Sequence, residues 1–80
     1  MTISAQVSVY PLRQDRLSPA VEEVREALAV RGLDPRVGPM STVVSGEAAA
    51  VFDGLREAFQ RAAAHGHVVM TVTLSNACPL

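Results

Sequence analysis

Period-two alternation at both ends of the chain brackets two stretches of helical period, and this order restricts the fold more than any other feature. From Ile3 to Val9, apolar Ile3, Ala5, Val7 and Val9 alternate with Ser4, Gln6, Ser8 and, one step on, Tyr10, the pattern of a half-buried strand. Pro11 stops it, and Leu12–Leu17, carrying Arg13, Gln14, Asp15 and Arg16, reads as an exposed connection. From Val68 to Leu74, Val68, Met70, Val72 and Leu74 alternate with Val69, Thr71 and Thr73 in a run rich in β-branched residues, so this is a second strand. Ser75, Asn76, Ala77, Cys78 and Pro79 end it.

Between these strands Ser18-Pro19 marks a helix start. The serine oxygen can accept an orphan amide, and proline at the first helical position loses no needed donor. Glu22 and Glu23 follow where the helix dipole favours negative charge. Val21, Val24 and Leu28 form one apolar stripe, and Gly32 supplies a left-handed stop after Arg31. Pro35–Val37 and Thr42–Val44 are short extended pieces joined through Gly38, Pro39, Met40 and Ser41, which predict a bend or hairpin. Ser45 and Gly46 lead into a second amphipathic helix over Glu47–Ala64, with a stripe of Val51, Phe52, Leu55, Phe59 and Ala62, closed near His65 and Gly66.

Strand, helix, strand, strand, helix, strand predicts an α+β domain: a ferredoxin-like βαββαβ sandwich, its four-stranded antiparallel sheet carrying two helices on one face. Right-handed crossovers are expected to set the first and last strands side by side in the middle of the sheet. The 80 residues, 49% hydrophobic, leave room for one domain spanning 1–80. A chain this short buries only about 60–65% of the surface its unfolded form exposes, so the core gives a thin margin and a homo-oligomer, dimer or tetramer, is expected.

Charge narrows the partners. The basic residues are seven arginines and no lysines, scattered from Arg13 to Arg61 in a chain of net charge −1. Nucleic acid needs a concentrated basic face and is not an expected partner. Nowhere do about 18 apolar residues run together, and the N-terminus lacks the charged and apolar regions of a signal peptide, so no membrane insertion is expected. Cys78 is the single cysteine, which precludes an intramolecular disulfide and favours a reducing, cytoplasmic location.

If the apolar residues of the first and last strands face the helices, the opposite face of these central strands shows Ser4, Gln6, Ser8, Tyr10, Val69, Thr71 and Thr73. Small hydroxyl and amide groups without charge suit a subunit contact or a neutral ligand surface better than bare solvent.

The phrases Ser4-Ala5-Gln6-Val7-Ser8-Val9-Tyr10-Pro11-Leu12, Gly38-Pro39-Met40-Ser41-Thr42 and Leu74-Ser75-Asn76-Ala77-Cys78-Pro79 resemble the YkoF-like thiamine-binding domain family over nearly the whole chain. The resemblance implies a ferredoxin-like fold, binding of thiamine or its hydroxymethylpyrimidine part, no cofactor and no catalysis. The namesake carries two such domains in tandem, whereas this sequence has one and no internal repeat, so a homo-oligomer would rebuild the paired arrangement. A thiamine-type ligand needs groups for the aminopyrimidine edge and an apolar or aromatic wall. Asn76 offers donor and acceptor; Gln6, Ser8, Ser41 and Thr42 offer amide and hydroxyl groups; Met40 and Tyr10 offer walls. These three segments are expected to converge. Ser41 and Thr42 also suit a turn and strand, Asn76 a strand cap and Tyr10 an interface. The alternative class is a regulatory ferredoxin-like module that senses another metabolite at a subunit interface.

Other chemistry finds little support. His65-Gly66-His67 with Cys78 lacks a usual zinc spacing and a fourth ligand, and His65 suits a helix end instead. Cys78 has no identifiable orienting group for a nucleophile. Glu22, Glu23, Glu26, Asp53 and Glu57 belong to solvated helix faces, so a small hydrolase or isomerase lacks its paired base and nucleophile.

Overall fold

A computed structural model describes residues 1–13, 16 and 18–77; Cys78 lies outside them. The elements follow the order β1 (Thr2–Pro11), α1 (Ser18–Ala29), β2 (Arg36–Val37), β3 (Thr42–Glu47), α2 (Ala48–Ala63) and β4 (Val68–Ser75). Four strands form one antiparallel sheet in the order β2-β3-β1-β4, with both helices packed on one face: the ferredoxin-like βαββαβ sandwich.

The sheet order corrects one expectation. The first and last strands are neighbours, but the middle of the sheet is β1 with β3, and β4 is an edge. A crossover that returns β4 parallel to β3 must pass over β1 and set down on its far side, just as the β1–α1–β2 crossover passes over β3.

Alternation in β1 becomes layering. Ile3, Ala5, Val7 and Val9 are buried beneath the helices with Val44 of β3, Ala20, Val24, Ala27 and Leu28 of α1, and Val51, Ala58 and Ala62 of α2. Val68, Met70 and Val72 are partly buried against this core. Leu74, expected on the same face, is exposed, because an edge strand has cover on only one side. Strand β3 runs beyond Val44 to Glu47, its added residues pairing with Ser4, Ile3 and Thr2. Gly46 belongs within it, for a Cβ there would run into Leu33 Cδ2.

The helices meet through small residues, and this shifts the buried stripe of α2. It runs through Val51, Gly54, Ala58 and Ala62, whereas Phe52 is 50% and Phe59 45% exposed. A Cβ on Gly54 would lie 2.9 Å from Leu28 Cδ2, so the glycine sets how closely α2 can approach α1. The bulky aromatic pair is turned to the other flank. Gly32 has φ +76° and ends α1 as expected, its N–H donating to the Ala29 carbonyl at 3.0 Å.

Charged groups of the helices are spent on each other. Arg61 Nη2 donates to Glu23 Oε1 at 2.7 Å and Glu26 Oε2 at 2.8 Å, and Arg31 Nη1 to Glu57 Oε2 at 2.5 Å. His65 follows α2 and lies 2.7 Å from Glu23 Oε2 through Nε2, so it binds α1 and not only the end of its own helix. Hydrogen bonds from His65 and then Arg61 hold the Glu23 carboxyl below its ordinary pKa.

Candidate functional site

With the helices on one face, pairing register decides what shares the other. Ser45, Ser4 and Ser75 form one cross-strand row. Val43, Gln6 and Thr73 form the next, extended to β2 by Arg36. Ser8 pairs with Thr71, and Tyr10 with Val69. From Ser4 to Tyr10 the face thus presents hydroxyls, an amide, valines and one phenol with no formal charge; Arg36 stands at one rim, 3.9 Å from Asp34, and Glu47 at the end of β3, where it accepts from the Met1 ammonium at 3.0 Å.

Four of the sequence-derived site residues gather in the middle of this face. Gln6 Nε2 donates to Ser41 Oγ at 3.2 Å, and the Ser8 hydroxyl donates to the Met40 carbonyl at 3.1 Å. The bend that carries Met40 and Ser41 is closed by the Gly38 N–H donating to the Ser41 carbonyl at 2.8 Å. Accepting from Gln6 leaves Ser41 its own O–H to donate. The Met40 side chain is 86% exposed above the bend, where it can wall a bound ring. Tyr10 lies two residues beyond Ser8 on the same face, roughly 7 Å along the strand, with its ring half in solvent.

Two expected site residues stand apart. Thr42 pairs with Val7 and is 4% exposed, on the helix side of the sheet; one step along β3 reverses the face, so Thr42 and Ser41 cannot both reach the open side. Asn76 follows Ser75, whose partner is Ser4. It is therefore about five residues, roughly 17 Å, from the Met40–Ser41 bend along the strands. The three segments do not converge within one chain. Ser75, not Asn76, closes the strand end, its Oγ accepting the Ala77 N–H at 2.9 Å.

Beneath the bend is a pocket of about 50 Å³ bounded by Ser8, Met40, Ser41, Thr42 and Val21. Thr42 touches this space from the helix side. A shallow groove of about 370 Å³ adjoins it between α1 and Val37–Pro39, sharing Val21, Gly38 and Pro39 and rimmed by Glu22 and Arg25. Arg25 Nε donates to Glu22 Oε1 at 2.9 Å and holds the Glu22 carboxyl below its ordinary pKa. Sequence reasoning assigned Val21 to the core and Gly38-Pro39 to a turn. Their joint place at the rim follows from α1 crossing behind the bend, which periodicity does not encode. The enclosed pocket is far below the about 300–1,000 Å³ of ordinary small-molecule sites, so a ring-sized ligand needs an additional wall.

Among the described residues no group of three or more His, Cys, Asp or Glu side chains is placed to hold a metal ion, and no helix is long and apolar enough to cross a membrane.

The same fold recurs among solved structures. A hypothetical protein of Methanocaldococcus jannascii superposes with a TM-score of 0.85 at 22% identity, over 94% of this chain and 79% of that one. A Streptococcus pneumoniae protein gives 0.84 at 26% identity, over 94% and 86%. A Thermotoga maritima protein provisionally assigned to thiamine biosynthesis or salvage gives 0.81 at 22% identity, over 94% and 83%. No protein with a curated description matches the chain in sequence. A family model does match, over residues 2–80, and by it the chain belongs to the YKOF-related family.

Proposed function

We propose that this protein is a non-catalytic cytoplasmic binder of thiamine or its hydroxymethylpyrimidine moiety, working as a homo-oligomer. The observation that carries this reading is the uncharged hydrogen-bonding cluster of Gln6, Ser8 and Ser41 beside the exposed Met40, at the mouth of a pocket too small to enclose a ligand alone. Amide and hydroxyl groups match the donors and acceptors of an aminopyrimidine edge, and methionine and tyrosine supply polarizable walls. Membership of the YKOF-related family and the thiamine assignment of the Thermotoga maritima neighbour support the ligand class.

A second copy laid over the open face would supply the missing wall. Titration of thiamine, its phosphates and hydroxymethylpyrimidine, followed by calorimetry, tests the reading. Saturable binding of one of them, with the compound recovered chemically unchanged, is the expected result; silence from all of them, or conversion of the bound compound, would overturn it.

A further inference from the structure

We propose that the main chain of Val9 anchors the ring edge of the ligand: its N–H and C=O, left without a strand partner where the β2–β3 bend replaces β3 beside β1, receive an aromatic ring that carries an acceptor nitrogen next to an amino group. The inference rests on the ligand reading above and adds to it the contact that selects the ring.

Register isolates Val9. In an antiparallel sheet, alternate residues of a central strand aim both backbone groups at the same neighbour. The Leu12 N–H donates to the His67 carbonyl at 2.8 Å, which turns the even-numbered residues of β1 toward β4. The Ala48 N–H donates to the Met1 carbonyl at 2.9 Å, which turns the odd-numbered ones toward β3. Pairing with β3 ends at Val7↔Thr42. The next odd residue is Val9, whose partner by register would be Met40, but Met40 lies in the bend and its carbonyl accepts from the Ser8 hydroxyl. Among the described residues no backbone group bonds Val9 from this side. Residue 11, the next to face the same way, is proline and has no N–H. Beyond Val7, then, Val9 carries the one strand N–H aimed at the bend.

An unpaired amide is costly in this place. Val9 is 9% exposed, with its side chain in the core, and buried backbone groups are almost always paired. On this side Val9 borders the pocket of about 50 Å³ together with Ser8, Val21, Met40 and Ser41. That volume admits water, or the edge of one flat ring, but not a whole ligand.

Donor pattern and shape select the occupant. The N–H and C=O of one extended residue stand side by side, as they do toward a partner strand. A ring nitrogen beside an exocyclic amino group offers one acceptor and one donor in the same arrangement, so an aminopyrimidine edge can pair with Val9 as a strand would. A further strand has no room, because the bend already occupies this flank of β1. The rest of the ring then projects past Ser8 to the Gln6–Ser41 pair and the exposed Met40 of the open face.

Amide exchange followed by NMR, with hydroxymethylpyrimidine as the probe, tests the anchor residue by residue. In the free protein the Val9 amide should exchange at least about tenfold faster than that of Val7, which pairs with Thr42. Saturating pyrimidine should slow Val9 by at least about tenfold and move its amide proton downfield, with Ala5 and Val7 little changed. The analogue with hydrogen in place of the amino group should bind about tenfold less tightly. Binding that leaves the Val9 amide unmoved, or equal affinity for the two pyrimidines, would overturn the anchor and leave the ligand reading standing. So would a Val9 amide as slow as that of Val7 in the free protein. Silence from both hydroxymethylpyrimidine and thiamine would overturn the ligand reading itself, and the anchor with it.

Discussion

Gln6 of the central strand β1 donates its side-chain amide to Ser41 Oγ at 3.2 Å, and so fixes the β2–β3 bend over the middle of the uncharged sheet face. The same contact ties the candidate ligand groups to a strand paired on both sides, while leaving both side chains open to solvent. Gln6→Ala should therefore weaken thiamine or pyrimidine binding by about tenfold, the worth of one net hydrogen bond, with little change in melting temperature. Calorimetry beside a thermal melt separates the two effects. A large fall in melting temperature at unchanged affinity would assign Gln6 to the scaffold instead.

Ser8 holds the bend from below through the Met40 carbonyl. Ser8→Ala should free that carbonyl and speed amide exchange over Gly38–Ser41 while sparing β1 itself, whose ladder bonds are untouched. Uniform exchange across the bend in both proteins would contradict this.

The α1–α2 contact makes a stability prediction. Gly54→Val places a branched side chain where even a Cβ approaches Leu28 to 2.9 Å. Overpacking of this kind costs about 1–3 kcal/mol, which in a domain of this size lowers the melting temperature by roughly 5–20 °C. Gly54→Ala should fall by less, because the gain in helix propensity offsets part of the clash.

Glu23 joins Arg61 and His65 across the helices, and their hydrogen bonds hold its folded pKa below that of an ordinary glutamate. A depressed carboxylate contributes stability that is present above its unfolded pKa and lost as pH falls through the lower folded value. Glu23→Gln should accordingly be less stable than the wild type at neutral pH, and the gap should close in acid, below the ordinary carboxylate range. Denaturant melts of both proteins across that range check the sign. A gap that widens in acid would refute the assignment.

The strands of β1 and β4, the left-handed stop at Gly32 and the βαββαβ order were legible in the sequence because each rests on local periodicity or one backbone requirement. Neighbour relations were not. Period two tells which residues share a face but not which strand lies beside which, so β4 was read as central when it is an edge. The periodic stripe of α2 takes in Phe52 and Phe59 beside Val51, Leu55 and Ala62 because their hydrophobicity outweighs that of Gly54 and Ala58. Packing reverses the order, since only small residues allow α1 so close. At the site, Gln6, Ser8, Met40 and Ser41 come together as the motif suggested. Thr42 fails to join them on the open face through the alternation of β3, and Asn76 through its distance along β4; both follow from register, which no single strand carries in its own sequence.

The central claim is that the Gln6–Ser8–Ser41 cluster binds a thiamine-type ring. Calorimetric titration of hydroxymethylpyrimidine and thiamine into the wild-type protein and into Ser41→Ala measures it most directly. Saturable binding to the wild type, with affinity at least about tenfold lower in Ser41→Ala, is the expected result. Absence of binding to the wild type, or equal affinity in the two proteins, would contradict it.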